Sequence, residues 1–270
     1  MFFNGFSGLK IPKPSQNSLI LQSNTFDAMN SFERITKKIF QNFGILIRKY
    51  NAATSEDLRR IKLFEHYSID LVFDIGANKG QYATGIMDVG YQQKIVSFEP
   101  LSSVHSIIEN ASKSHTNWTV APRCAIGSKK EEIEINISAN SVSSTLLTML
   151  DTHIEGAPES KIIGKEKVTV YPLDEIAKTY IGSSKNIFLK IDVQGFEQEV
   201  LKGASEMIAL AKGIEMEISL VPLYENQTWL LPQVLEYMEQ KGFVLTSIVP
   251  AFTDNVTGKV LQCNGIFYKK

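Results

Sequence analysis

The sequence predicts an α/β protein built on a mostly parallel sheet. Three observations carry this expectation: apolar runs alternate with helical patterns from Asp70 onward, the first apolar run ends in a glycine-punctuated turn, and the second ends in an acidic residue. The strand-like runs are Leu71–Ile75, Lys94–Phe98, Trp118–Ala121, Asn186–Ile191, Gly213–Ile218, Phe243–Val249 and Val260–Tyr268. Helical patterns lie between most of them, near 81–89, 102–113, 196–210 and 229–241. Such alternation implies strands covered by helices on both faces. The last two runs are separated by the turn-rich segment 250–258, too short for a helical crossover, so they are expected to pair antiparallel.

Taken in order, residues 1–30 carry Pro12, Pro14 and many Ser, Asn and Gln with weak periodicity, which reads as a loose arm. Ser31 is placed to cap the helix that follows, in which Phe32, Ile35, Ile39, Phe43, Leu46 and Tyr50 recur at three- and four-residue steps. Arg34, Lys37, Lys38, Arg48 and Lys49 make it basic. Docking to a membrane surface or partner is one reading, and packing on the domain by the apolar stripe is the preferred one. A second helix, roughly Ser55 to Tyr67, leads into the first strand. The chain therefore divides into an N-terminal arm with helices (1–69) and one domain (70–270). Within that domain, residues 128–172 break the alternation. Two further strands are expected there, at 132–137 and 167–171, flanking a long excursion of the kind that forms lids or substrate walls.

At 270 residues, with 43% hydrophobic and 21% charged residues, the chain is ordinary for a soluble globular protein. A formal net charge of −1 gives no reason to expect nucleic acid as a partner. The two cysteines, Cys124 and Cys263, are far apart and lack neighbours at ligand spacing. Neither a Cys-based zinc site nor a disulfide framework is expected, and a reducing cytoplasm fits best. No apolar run approaches the roughly 20 residues of a membrane span, and no signal peptide is read.

Asp74-Ile-Gly-Ala-Asn-Lys-Gly80 closes the first strand. A dinucleotide site places three glycines at G-x-G-x-x-G spacing so that the backbone can reach a pyrophosphate. Here Asn78 holds the middle position, and the acidic Asp74 would repel phosphate. The turn suits a cation instead, and S-adenosylmethionine offers an amino group and a sulfonium. Glu99 lies 23 residues beyond Gly76, close to the offset at which an acidic side chain meets a ribose. In Leu189-Lys-Ile-Asp-Val-Gln-Gly-Phe-Glu197, Asp192 sits at the C-terminal edge of a central strand, where open α/β sheets bind ligands. Lys190 shares its strand face, either as a working residue or as one half of a buried ion pair. On the next strand Glu215 and Glu217 share a face, with Glu217 nearer the edge. Asp192 with Glu217 is suited to activating a hydroxyl; two carboxylates alone are a weak metal signal, and no metal is expected. His66, His105 and His115 read as surface or packing residues. His153, in the excursion, reads as a solvated loop residue that can meet a substrate.

Together these motifs resemble the FkbM family of S-adenosylmethionine-dependent methyltransferases. The matching pieces are 72–82, Ser97-Phe-Glu-Pro100, Leu173-Asp-Glu-Ile176, 189–197 with Val200-Leu-Lys-Gly-Ala204, 217–224 and Gly242-Phe. The resemblance runs from about Asp70 to the C-terminus. It implies a class I (Rossmann-like) fold, a seven-stranded sheet with the last strand antiparallel, and S-adenosylmethionine as cofactor. It also implies O-methylation of a hydroxyl on a sugar, glycan or secondary metabolite. By the resemblance, Asp74, Gly76, Asn78 and Gly80 line the methionine side of the cofactor and Glu99 holds its ribose. Asn264 and Gln194 stand where many relatives carry an acidic residue, although Gln also occurs at the latter.

Asp192 is the candidate base for the acceptor hydroxyl, with Glu217 and Lys190 in support. The rival readings are an NAD(P)-dependent oxidoreductase, disfavoured by the glycine pattern, and a non-catalytic S-adenosylmethionine-binding partner protein, disfavoured by the intact carboxylates. A homo-oligomer is possible on this reading.

Overall fold

A computed structural model describes residues 31–141, 143–150 and 157–270. The arm at 1–30 and His153 lie outside the described residues. By its contacts the chain separates into two units, 1–49 and 50–270. In the first unit, helix α1 spans Ser31–Asn42 and so already includes Ser31. It ends before the apolar spacing does. Gly44 adopts φ +71°, its amide donates to the Gln41 carbonyl, and the Ile45 amide donates to the Phe40 carbonyl. This pair of bonds is a Schellman motif, which needs a left-handed residue at the position glycine fills. Phe43, Leu46 and Tyr50 therefore lie beyond the helix they were expected to extend.

In the second unit, helix α2 (Glu56–His66) starts where Ser55 caps it, the Ser55 side chain accepting from the Leu58 amide. Seven strands then form one sheet. They are β1 (Leu71–Ile75), β2 (Lys94–Phe98), β3 (Trp118–Val120), β7 (Ile187–Ile191), β8 (Ala211–Ser219), β9 (Phe243–Pro250) and β10 (Gln262–Lys269). Their order is β3-β2-β1-β7-β8-β10-β9. β10 runs antiparallel to both β8 and β9, and every other neighbouring pair in the sheet is parallel. The seven-stranded sheet with one antiparallel strand is the one expected.

Alternation along the strands separates two cores. Leu71, Phe73, Ile75, Leu189, Ile191, Ile214 and Met216 face one side. There they meet helices α7 (Glu197–Lys202), α8 (Ser205–Leu210) and α9 (Leu231–Gln240) through residues such as Val200, Met207 and Val234. Val72, Ile95, Phe188 and Ile266 face the other side and pack on α2, α3 (Gln81–Asp88) and α4 (Ser102–Ser112). On this second face the apolar run gives way, toward the C-terminal edge, to Asp74, Ser97, Lys190, Glu215 and Glu217. This switch from apolar to charged along one face positions the site.

The pattern 196–210 is two helices that meet at Gly203 and Ala204, and Gly203 is packed so close to the Gly127 main-chain oxygen that a Cβ there would sit 2.0 Å from it. Gly127 belongs to β4 (Ala125–Gly127), a strand too short to register as a periodic run. β4 pairs with β6 (Ile162–Pro172), which pairs antiparallel with β5 (Glu131–Ser138), giving a separate three-stranded sheet. The two strands expected within 128–172 are thus present and longer than read. Two short helices, α5 (Leu173–Ile176) and α6 (Lys178–Ile181), lead back to β7.

Among the described residues no helix is long and apolar enough to cross a membrane. Cys124 and Cys263 are free and buried.

Candidate active site

A cavity of about 350 Å³ opens at the C-terminal edge of β1, β2, β7 and β8. It lies where the strand order reverses, the usual place for a ligand in an open α/β sheet.

The β1 turn forms its floor. Gly76 has φ +79°, and a Cβ there would lie 1.9 Å from the main-chain oxygen of Asp192 on the neighbouring strand end. Neither main chain can retreat without breaking the β1–β7 ladder, since the Asp192 amide donates to the Ile75 carbonyl. Gly76→Ala is therefore expected to destabilise the domain by at least about 3 kcal/mol, or roughly 6–12 °C in Tm. Scanning calorimetry checks this; an unchanged Tm would mean that the turn relaxes freely.

Asn78 follows in a left-handed conformation (φ +46°), which asparagine tolerates. Its amide donates to Glu99 Oε2 at 2.8 Å, and the Leu101 amide donates to Glu99 Oε1 at 2.9 Å. Both carboxylate oxygens of Glu99 are thus held by backbone amides at the cavity wall. Burial still wins over these bonds and pushes the Glu99 pKa up to about 7. Beyond Glu99 the wall turns apolar through Leu101, Cys124, Ala125 and Ile126.

At the other end the charges form a connected chain. Trp118 Nε1 donates to Ser97 Oγ, which donates to Asp74 Oδ2 at 3.2 Å. Lys190 Nζ stands 3.4 Å from Asp74 Oδ1 and 3.3 Å from Asp192 Oδ2. Burial acts to lower the Lys190 pKa, but Asp192, Asp74 and Glu215 outweigh it and hold the ammonium charged. The Gln194 side-chain amide donates to Asp192 Oδ1 at 2.9 Å and to Glu217 Oε2 at 2.8 Å. Gln262 donates to the same Glu217 oxygen at 2.9 Å. Burial, with Asp192 and Glu197 nearby, raises Glu217 well above the ordinary carboxyl range, so it keeps its proton to higher pH than a free glutamate.

Helix α2 supplies the outer wall. Arg60 donates to both Glu215 oxygens, at 2.8 and 2.6 Å, and reaches Asp57 and Glu56 in its own first turn. Tyr82 OH donates to Glu215 Oε2, and Arg60 and Lys190 lie 4.9 and 5.4 Å from the Tyr82 ring centre. The roof comes from the excursion. Thr145 Oγ1 donates to the Gln194 carbonyl at 2.6 Å, and Ser141, Ser144, Thr145 and Leu146 line the cavity.

Of the residues read from sequence, Gly76, Asn78, Glu99, Lys190, Asp192 and Glu217 converge on the cavity wall. Asp74 does not reach it: fully buried, it supports Lys190 from beneath. Gly80 lies outside the wall, heading α3, where a Cβ would strike the Trp118 ring at 2.5 Å. Arg60, Tyr82, Gln194, Gln262 and the α2 acids were not read as site residues. Tyr82 and Gln194 fall within sequence motifs, but the partners that bring these residues to the site lie up to 155 residues away in sequence, as Arg60 and Glu215 do. Outside the site, His105 Nε2 meets the Ala121 carbonyl and His115 packs against Trp118.

The methyltransferase FkbM domain model matches residues 74–245, more than half of the chain. No curated protein sequence matches at a significant level. Among solved structures, the methyltransferase domain of bacterial Hen1 is 7% identical, with 81% of this chain and 99% of that one covered and a TM-score of 0.44. The precorrin-6y C5,15-methyltransferase of Geobacter metallireducens is 14% identical, with 84% and 95% covered and a TM-score of 0.40. Aeropyrum pernix fibrillarin, in complex with natively bound S-adenosyl-L-methionine, is 8% identical, with 74% and 66% covered and a TM-score of 0.41.

Proposed function

From the premise that this chain belongs to the methyltransferase FkbM domain family, we propose that it transfers a methyl group from S-adenosylmethionine to a hydroxyl oxygen of a neutral, polyhydroxylated acceptor such as a sugar or glycan. The observation that carries the reading is one cavity with two chemically distinct ends. A carboxylate held by two backbone amides beside an apolar wall lies at one, and a linked pair of carboxyls at the other.

The cavity fits the cofactor. Glu99 is held with acceptor capacity left for two ribose hydroxyls, and Leu101, Ala125 and Ile126 offer an apolar slot for a purine. Gly76 and Asn78 line the cavity where the methionine side of the cofactor would lie. Bound there, S-adenosylmethionine supplies an electrophilic methyl carbon on a sulfonium.

The chain's own residues provide alignment and proton removal. Aligning two reactants is worth up to about 7–11 kcal/mol. The hydroxyl proton goes to Asp192, whose carboxyl oxygens meet Lys190 at 3.3 Å and the Gln194 amide at 2.9 Å. Glu217, from the adjacent strand, supports Asp192 at the same point.

The charges at this end also select the acceptor. Among the described residues, the cations lining the cavity are Arg60 and Lys190. Arg60 is taken by Glu215, Glu56 and Asp57, and Lys190 by Asp74 and Asp192. A phosphate or carboxylate near the reacting hydroxyl would meet carboxylates without a spare cation, whereas a neutral hydroxyl meets acceptors. The test is transfer of labelled methyl from S-adenosylmethionine into a cell extract, followed by fractionation of the product by charge. Label in a neutral glycan or polyol supports the reading; label only in nucleic acid or phosphate esters, or none at all, overturns it.

Cofactor affinity should depend on pH. Ribose hydroxyls donate best to an ionised Glu99, whose pKa stands at about 7 in the free protein. Binding then draws a proton off, so S-adenosylhomocysteine affinity is expected to rise with pH through about 7 and to fall by up to about tenfold per unit below it. Calorimetric titrations between pH 5.5 and 8.5 measure this. Glu99→Gln should flatten the dependence, and an unflattened one would move the titration to another group.

A further inference from the structure

Asp192 and Glu217 leave adjacent strands and point carboxyl oxygens at one nitrogen, Gln194 Nε2, at 2.9 and 2.8 Å. Two carboxyl groups brought this close repel unless something between them supplies positive character. A proton or a metal ion ordinarily does so. Here a neutral amide lies between them, in addition to the proton that Glu217 holds to raised pH, since an NH₂ group carries two donors and both are used. The amide orientation is determined by its surroundings: turned over, its oxygen would face two carboxyl oxygens. As placed, that oxygen accepts from Tyr224 OH at 3.0 Å. The backbone is shaped for the task as well. Gln194 adopts φ +55°, and its main-chain carbonyl is tied to Thr145. Among the described residues no group of three His, Cys, Asp or Glu side chains suited to a metal converges.

We propose that Gln194 is a positioning residue, its amide drawing Asp192 and Glu217 together at the methyl-acceptor end of the cavity. Adjacent oxygen ligands of an octahedral ion with bonds of 2.0–2.1 Å lie about 3 Å apart. An oxygen at the position of Gln194 Nε2 would stand at nearly that distance from both carboxyl oxygens. Gln194→Glu, with the same side-chain shape, therefore converts an amide clamp into three converging carboxylates. For catalysis the inference rests on the methyltransferase reading; for the clamp itself it rests on the geometry alone.

The test is Mn²⁺ binding, followed by electron paramagnetic resonance and by melting temperature, on the full chain, Gln194→Glu and Gln194→Met, with S-adenosylhomocysteine titrated separately into each. Gln194→Glu is expected to bind Mn²⁺ at least about tenfold more tightly than the unmodified chain and to melt higher when it does. Gln194→Met should gain no Mn²⁺ site. It should lose at least about tenfold in labelled-methyl transfer while holding S-adenosylhomocysteine within several-fold. Equal Mn²⁺ affinity in the unmodified chain and Gln194→Glu, or unchanged transfer in Gln194→Met, overturns the proposal. If Gln194→Glu does not fold, the Gln194→Met comparison decides. Failure of the unmodified chain to bind S-adenosylhomocysteine would strike the cofactor reading instead, leaving the Mn²⁺ contrast to judge the clamp.

Discussion

Replacing Asp192 with alanine is expected to abolish methyl transfer, by about 10³-fold or more, while S-adenosylhomocysteine affinity stays within several-fold. The separation follows from geometry. Asp192 contacts Lys190 and Gln194 at the acceptor end, whereas Glu99 and the apolar slot lie at the other end of the same cavity. The substitution also frees Lys190 from one partner, but Asp74 retains it at 3.4 Å, so the fold beneath should survive. Single-turnover transfer of labelled methyl, with calorimetric binding alongside, measures both halves. Unchanged turnover would remove Asp192 from the chemistry, and a collapse of binding would make it a cofactor ligand instead.

Glu99→Ala should produce the opposite split. Hydrogen bonds to a charged group contribute about 1.5–3 kcal/mol each. Losing two from ribose hydroxyls should weaken S-adenosylhomocysteine binding by about 10²–10⁴-fold. The variant also strips partners from the Asn78 and Leu101 amides, which hold the turn and the start of α4. Glu99→Gln keeps much of that shape and serves as the control. Binding within threefold of the unmodified chain in both variants would show that the ribose is not held there.

The end of the cavity proposed for the cofactor was legible in the sequence because the residues that form it are local. A strand, a turn with Gly76 and Asn78, and a second strand ending at Glu99 all fall within a short stretch whose pattern reports its geometry directly. The parallel sheet was legible for the same reason: alternating strand and helix leave few topologies. The end proposed for the acceptor was legible only in part. Asp192 and Glu217 mark strand ends, but Arg60 meets Glu215, and Gln194 meets both Glu217 and Tyr224, through tertiary packing that no spacing rule encodes. Boundaries failed where a glycine overruled periodicity. The apolar steps of α1 continue past Asn42, yet Gly44 closes the helix. A helical pattern spans Gly203, yet one helix ends at Lys202 and the next starts at Ser205, with the Gly127 carbonyl packed against Gly203. Both glycines were visible, but the close approach at Gly203 becomes apparent only once β4 is in place beside it.

The position of α2 changes how the N-terminal region reads. Its Glu56, Asp57 and Arg60 form one wall of the cavity, and Arg60 is buried against Glu215. The helix before the first strand thus lines the same cavity as the roof at 141–146, and on the proposed reading the acceptor meets both.

The central claim is that this cavity takes a sulfonium nucleoside rather than a nicotinamide dinucleotide. Titration calorimetry of the full chain with S-adenosylhomocysteine and, separately, with NADH tests it most directly. The structure predicts one saturable site for S-adenosylhomocysteine, lost in Glu99→Ala, and no saturable binding of NADH. Saturable binding of NADH with none of S-adenosylhomocysteine would contradict it.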